Sequence, residues 1–501
     1  MSVIKRQTII GTIYSYLGVG VGMLTQAIIM PIFFSAREYG LQSVMLSYTL
    51  IIAQFASLGY NQAGTRFFGS FRNAEQKHNG YLFTGLLFSG VGFVLGGILL
   101  YAFKDTILTS SEADRELFGR YFYLLFPLSL STILFYLFDN YAKGLYDTIY
   151  GNFYKEFLQR FLIFLAACLV AFKFVDFDGF MGLWTVAICF PTLLMAYRAY
   201  QLGNFSLAPH LFFFRAPFRK AFLQFSTFSV ATGFSSIIIT HLDKLMVNGY
   251  LGLGSAGIYG FSLLFGNTMT ISYNIAAKAA TAIVLDAMEA KEYGKIESIY
   301  KKSGITQLVL GCFMLLVVWV NIDELLSFIK PEFAAAKWPI IIIGLGKLFE
   351  LANGINTLIL AYSKHYKLDS LLIATFIGVL YVLNQLLIPA YAINGAAIAA
   401  VASIVYYNTF RTYLIQRFFK INPFSANQLK VLALGAAVLL VGLQLPAIGT
   451  SFIERAISIV YRTVLVGGSF VVGIYFLRVS ADIDAVFEKI ISFFNSYKKR
   501  G

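Results

Sequence analysis

Apolar residues in this chain come in runs of 18 to 30, separated by short polar stretches. The first six runs cover 8–34, 42–68, 79–103, 117–139, 155–172 and 179–200. The next six cover 221–249, 256–285, 302–327, 338–362, 369–389 and 394–417, and two more cover 428–446 and 457–478. At about 1.5 Å of rise per residue, each reaches across about 30 Å of hydrocarbon. Lipid offers no partner to an open backbone, and the runs lack the alternation of barrel strands, so helices are expected. The pattern predicts an all-α polytopic membrane protein of about fourteen spans. Beyond Arg478 it changes: Ile483, Val486, Phe487, Ile490, Phe494 and Tyr497 share one helical face, and Lys498, Lys499 and Arg500 follow. Residues 479–501 are therefore expected to form an interfacial amphipathic helix.

Composition agrees with a lipid solvent. Of 501 residues, 58% are hydrophobic and 13% are charged, about half the charged share of a water-soluble domain. The net charge of +14 invites a nucleic-acid reading, but its distribution argues for a membrane. With the N-terminus inside, 28 Lys and Arg fall on cytoplasmic segments and 9 on the opposite side. Missing one early span would erase that bias, so both termini are expected in the cytoplasm. Lys5 and Arg6 precede a run too long for a signal h-region, so the run is read as the first span. Cys168, Cys189 and Cys312 lie inside spans, and the four histidines show no ligand spacing, so no metal is expected.

The chain also shows an internal echo. Sliding it by 217 lays Arg37-Glu38-Tyr39-Gly40-Leu41 over Gly254-Ser255-Ala256-Gly257-Ile258, and 72–79 over 289–296. A shift of 216 lays Asp178-Gly179 over Asn394-Gly395. The matched order of span, loop and charge predicts two six-helix lobes, 1–201 and 202–420, followed by two extra spans within 421–478.

Several motifs bring a family into view. They are Glu38-Tyr39-Gly40-Leu41 after the first span and Gly64-Thr65-Arg66-Phe67 at the end of the second. In span seven they are Leu242-Asp243-Lys244-Leu245-Met246 and Gly249-Tyr250-Leu251-Gly252, and Ala256-Gly257-Ile258-Tyr259 follows. In order and spacing the chain resembles the bacterial oligosaccharide (O-antigen type) flippases of the multidrug/oligosaccharidyl-lipid/polysaccharide exporter superfamily. It departs at Ser226-Thr227-Phe228, where the family often has a proline early in span seven. The resemblance implies a bacterial inner-membrane transporter for polyprenyl-pyrophosphate-linked oligosaccharide, working by alternating access in cell-surface polysaccharide (including lipopolysaccharide) biosynthesis. It implies no enzymatic chemistry and no cofactor beyond a coupling Na+ or H+. Partners are the lipid-linked oligosaccharide, membrane lipids and other polysaccharide-assembly proteins, with no nucleic acid.

A sugar and a pyrophosphate cross hydrocarbon only where protein replaces their hydration. Arg66, and Lys278 at a corresponding depth in span eight, are cationic candidates; snorkelling to headgroups is the alternative. Asp243 and Lys244 sit mid-span, where a charge costs about 2.5–3.5 kcal/mol, so they face either a cavity or ion-pair partners on other helices. Asp139 and Asn140 close span four near Lys143; a cavity mouth and ordinary helix-end polarity both fit. Asn61 and Asn274 are candidates for sugar hydroxyls, and Tyr60 and Tyr273 for stacking, although interhelical bonds and packing are the commoner uses. Lys347 and Glu350, spaced i,i+3, are expected to pair, and Gly18/Gly22 and Gly92/Gly96 to mark close helix packing.

Three rivals remain. A multidrug antiporter would usually carry an acid in its first span, and 8–34 has none. A peptidoglycan-precursor flippase would carry arginines there, and none follows Arg6. A polysaccharide polymerase needs a large outer loop, and the largest here is 104–116.

Overall fold

A computed structural model describes residues 3–107, 112–210, 212–213, 215–449 and 451–480, with 483–485, 488–489 and 492 of the tail. The amphipathic helix expected at 479–501 lies for the most part outside the described residues. The described residues form helices joined by turns, with no strand among them.

Among the described residues, eight helices are individually long and apolar enough to cross a membrane. Two of them, Ala216–Met269 and Tyr366–Phe419, run 54 residues each and break once, at Gly252 and Ala392. Counting each break as a boundary, and joining helices interrupted by a short turn, gives the expected order of about fourteen segments. The helix from Ala216 runs without interruption to Gly252, with no kink at Ser226-Thr227-Phe228.

Contacts divide the chain into two compact units, Met1–Gly257 and Ile258–Gly501, and the first takes in the helix that begins at Ala216. In the first unit, two adjacent helical segments each contain one π turn, Leu24–Ile29 and Phe153–Leu158. They pack closely because glycines line the seam. A Cβ on Gly18 would lie 1.8 Å from the Glu156 carbonyl oxygen, and one on Gly22 3.3 Å from Arg160 Cδ. Gly92 meets the Ala56 carbonyl at the same 1.8 Å, and Gly96 faces Ile52. The glycine pairs are helix-packing sites, as their spacing predicts. An aromatic core of Tyr60, Phe71, Tyr81, Phe213 and Phe222 closes the unit. Tyr60 is 1% exposed and donates its hydroxyl to the Tyr81 carbonyl, so it belongs to the core and offers no face to a sugar.

Helix starts are set by local chemistry. Ser35 and Glu38 form a capping box on Ala36–Ala56, and Ser451 and Glu454 form another on Phe452–Leu477. The glutamate of the Glu38-Tyr39-Gly40-Leu41 motif is thus a cap. In the second unit one core joins Tyr300, Ile355, Ile359 and Ile415, and another joins Cys312, Val431, Val466 and Phe470. Large apolar side chains such as Ile98, Leu386 and Phe476 point outward, as a lipid-facing surface requires.

Candidate functional site

The second segment bends by 44° between Ala36–Ala56 and Tyr60–Phe71. Leu58 and Gly59 adopt left-handed backbone at φ 45° and 73°, which ends one helix and starts the next. The freed Leu58 carbonyl accepts the Ser226 hydroxyl at 2.5 Å, which tethers the bend. No side chain fits at Gly59, whose Cβ would lie 2.2 Å from the Ser226 carbonyl oxygen.

Beside this bend lies a cavity of about 610 Å³. Gln54, Asn61, Gln62, Thr65 and Arg66 line it from the bent segment, and Thr132, Tyr136, Asn140 and Lys143 line it from Leu125–Gly144. The second set is spaced i, i+4, i+8, i+11, so its members share one face of the helix. The Arg66 guanidinium stacks on Phe225 with its carbon 4.3 Å from the ring centroid, and lies 5.9 Å from the Phe67 ring. Among the described residues no carboxylate lies within salt-bridge distance of Arg66. Ring stacking leaves the edge N–H donors of a guanidinium available to an anion. Lys143 also faces the cavity and pairs with Asp139 at 2.5 Å. Among the described residues, buried Gln54 Nε2 and Gln62 Oε1 have no hydrogen-bond partner. Both amides press on Gly233, whose Cβ would meet Gln54 Nε2 at 2.2 Å.

The fold gathers Asn61, Arg66 and Asn140 at one wall, with Asp139 behind Lys143; Asn140 Nδ2 donates to the Asn61 carbonyl at 3.4 Å. Asp243 and Lys244 are buried and do not line that cavity; Lys244 Nζ donates to Ser43 Oγ at 2.9 Å. Lys278 and Asn274 sit exposed one turn apart on Ile271–Glu289 of the second unit. Lys347 and Glu350 pair at 2.8 Å, as their spacing predicts.

Sequence reasoning passed over Gln54, Gln62, Thr65, Thr132 and Tyr136, although the i+4 polar ladder on span four was there to be read. It also passed over a buried network in the second unit. Arg411, 2% exposed, donates to Asp369 Oδ1 from Nε and Nη2 at 2.9 and 2.6 Å and to Thr357 from Nη1 at 2.7 Å. It stacks on Tyr407, while Asn356 bonds Asn408 and Thr412 bonds Asn353. Asp369 opens one span and Arg411 nearly closes the next, so antiparallel neighbours bring their ends together.

No family model matches the chain, and no curated protein matches it. Solved structures do. A lipid II flippase MurJ in an inward closed conformation aligns with TM-score 0.72 and 14% identity, over 93% of this chain and 99% of that one. An inward-facing multidrug resistance MATE family transporter of the MOP superfamily aligns with TM-score 0.62 and 13% identity, over 84% and 95%. The Vibrio cholerae MATE transporter VcmN aligns with TM-score 0.55 and 14% identity, over 83% and 97%. At these identities the likeness is one of fold.

Proposed function

We propose that the protein is a transporter of the MOP superfamily that flips a polyprenyl-pyrophosphate-linked oligosaccharide across the bacterial inner membrane. The observation that carries the reading is the wall around Arg66: a guanidinium stacked on an aromatic ring, without a carboxylate partner among the described residues, among amides and hydroxyls. Such a wall suits a diphosphate beside sugar hydroxyls, since charge-assisted bonds replace the hydration of the anion and neutral groups that of the sugar. A multi-pass helical fold shared with flippases and drug transporters supports transport without covalent chemistry. Lys278, Asn274, Asp243 and Lys244 stay candidates for other steps of the cycle.

A second reading has one observation behind it: the alignment with a lipid II flippase spans nearly both chains. Vesicles loaded with the protein separate the two. A lipid-linked oligosaccharide and a lipid-linked muramyl peptide are offered from one face, and a membrane-impermeant glycosidase or peptidase reads what reaches the other. Oligosaccharide transfer that falls with Arg66→Ala supports the proposal. Transfer of the muramyl peptide alone passes the function to the second reading, and efflux of organic cations alone removes both.

A further inference from the structure

Away from the polar cavity, the third span carries a groove of about 490 Å³ on its lipid-facing side. Phe93, Val94, Gly97, Ile98, Tyr101 and Ala102 of Tyr81–Ala102 line it, and Phe126 of Leu125–Gly144 flanks it. The six fall at i, i+1, i+4, i+5, i+8 and i+9, one stripe along the helix. Gly97 keeps the groove open: a Cβ there would lie 3.3 Å from Phe126 Cε1, so a larger side chain would fill it. Phe93 meets the same ring edge-on, with centroids 6.5 Å apart. From Phe93 to Ala102 the helix rises about 14 Å, close to half the thickness of the hydrocarbon layer. The stripe occupies the second half of its span, so the groove runs from mid-bilayer to one interface.

A cation stands at that interface. Lys104 Nζ lies 5.3 and 5.0 Å from the ring centroids of Phe122 and Tyr123, and it donates to the Tyr123 hydroxyl at 3.4 Å. Tyr123 in turn stacks on Phe126, with 6.5 Å between centroids and 20° between planes. A run of rings thus joins the ammonium to the groove, and the cation–π contacts favour the charge at its mouth. An ammonium has three donors and Tyr123 takes one, so others can reach an anion. The neighbouring acid, Asp105, pairs with Arg115 at 3.0 Å, and among the described residues no carboxylate lies within salt-bridge distance of Lys104. An apolar slot half a bilayer long, ending at a positive charge in the headgroup layer, complements a lipid with one chain in the slot and its phosphate at the ammonium. A polyprenyl chain outruns so short a slot, whereas an acyl chain of one leaflet matches it.

We propose that this groove holds one anionic diacyl phospholipid of the outer leaflet, with its phosphate on Lys104 and an acyl chain along Phe93–Ala102. The leaflet follows from the positive-inside count, and the site stands whatever the cargo. The full-length protein is placed in vesicles of phosphatidylglycerol and phosphatidylethanolamine in equal amounts, with a trace of phosphatidylglycerol carrying a diazirine midway along one acyl chain. After irradiation, peptide mass spectrometry should find adducts on residues 93–102 and on Phe126. The same diazirine on phosphatidylethanolamine should label them about fivefold less, the weight of one lysine beside an anionic lipid. Lys104→Gln should abolish that preference. Gly97→Leu should lower the yield of both probes severalfold, while Gly90→Leu, on the same helix with nothing within 4 Å, should leave it unchanged. Equal labelling of the wild type by the two probes means ordinary boundary lipid and overturns the site. So does a preference that survives Lys104→Gln, or a yield untouched by Gly97→Leu. Lys104 lies outside the packed core, so its variant decides the matter even if Gly97→Leu fails to fold.

Discussion

Arg66 brings a positive charge to the cavity with no carboxylate in salt-bridge distance among the described residues, and its guanidinium stacks on Phe225. Removing it takes away charge-assisted hydrogen bonds worth about 1.5–3 kcal/mol each, so Arg66→Ala should weaken binding of a polyprenyl diphosphate by about tenfold or more. Arg66→Lys keeps the charge and loses the fork, and should recover part of it. Phe225→Leu should cost a few-fold, the size of a half-exposed cation–π contact. Equilibrium binding to lipid nanodiscs measures all three, and equal affinity for Arg66→Ala and wild type would remove the diphosphate from this wall. The candidates Arg66, Asn61 and Asn140 were legible from sequence because polar residues inside apolar runs stand out. Gln54 and Gln62 were harder: each is one polar residue at a helix end, and only the bend at Leu58–Gly59 aims them inward. Tyr60 misled for the opposite reason, since its hydroxyl is used up on the Tyr81 carbonyl inside an aromatic core.

Element packing rests on glycines where helices touch and on ion pairs where charges are buried. Gly18→Val and Gly92→Val each place methyl groups against a carbonyl oxygen already 1.8 Å from the added Cβ, so the helices must separate. Each should lower thermal stability in detergent by about 1–3 kcal/mol. Gly20→Val meets nothing within 4 Å and serves as the control; an equal loss there would show the effect to be generic. In the second unit, Arg411→Leu strands Asp369 in the core and should cost about 3–5 kcal/mol, whereas adding Asp369→Leu should return most of it. Denaturant titration of the single and double variants decides this. Span positions, glycine seams and the Lys347–Glu350 pair follow from spacing along one helix, so sequence carries them. The Arg411–Asp369 pair joins two helices and depends on their register where they meet, which periodicity within either helix leaves open.

At the scale of the molecule, the positive-inside bias makes a prediction about sidedness. Single cysteines placed at Lys173 and Arg455 should react with an impermeant maleimide added outside intact cells, and cysteines at Lys291 and Lys302 only after the cells are opened. The reverse pattern would invert the orientation and put the Arg66 cavity on the outer face. The all-helical layout was readable because lipid forces every backbone group to pair within its own segment. The Ala216 helix was read as part of a second lobe starting at 202, whereas its contacts place it in the unit that ends at Gly257.

The two π turns have one more consequence. Each holds one residue more than the α turn it replaces, and an α-helix advances about 100° per residue. The surplus therefore works like a dislocation in a crystal: handing it one peptide along the helix exchanges a hydrogen bond or two and turns the stretch it crosses by about 100°. In the first segment, that stretch borders the glycine seam against Glu156 and Arg160, so a screw motion is available to a helix that could otherwise only tilt.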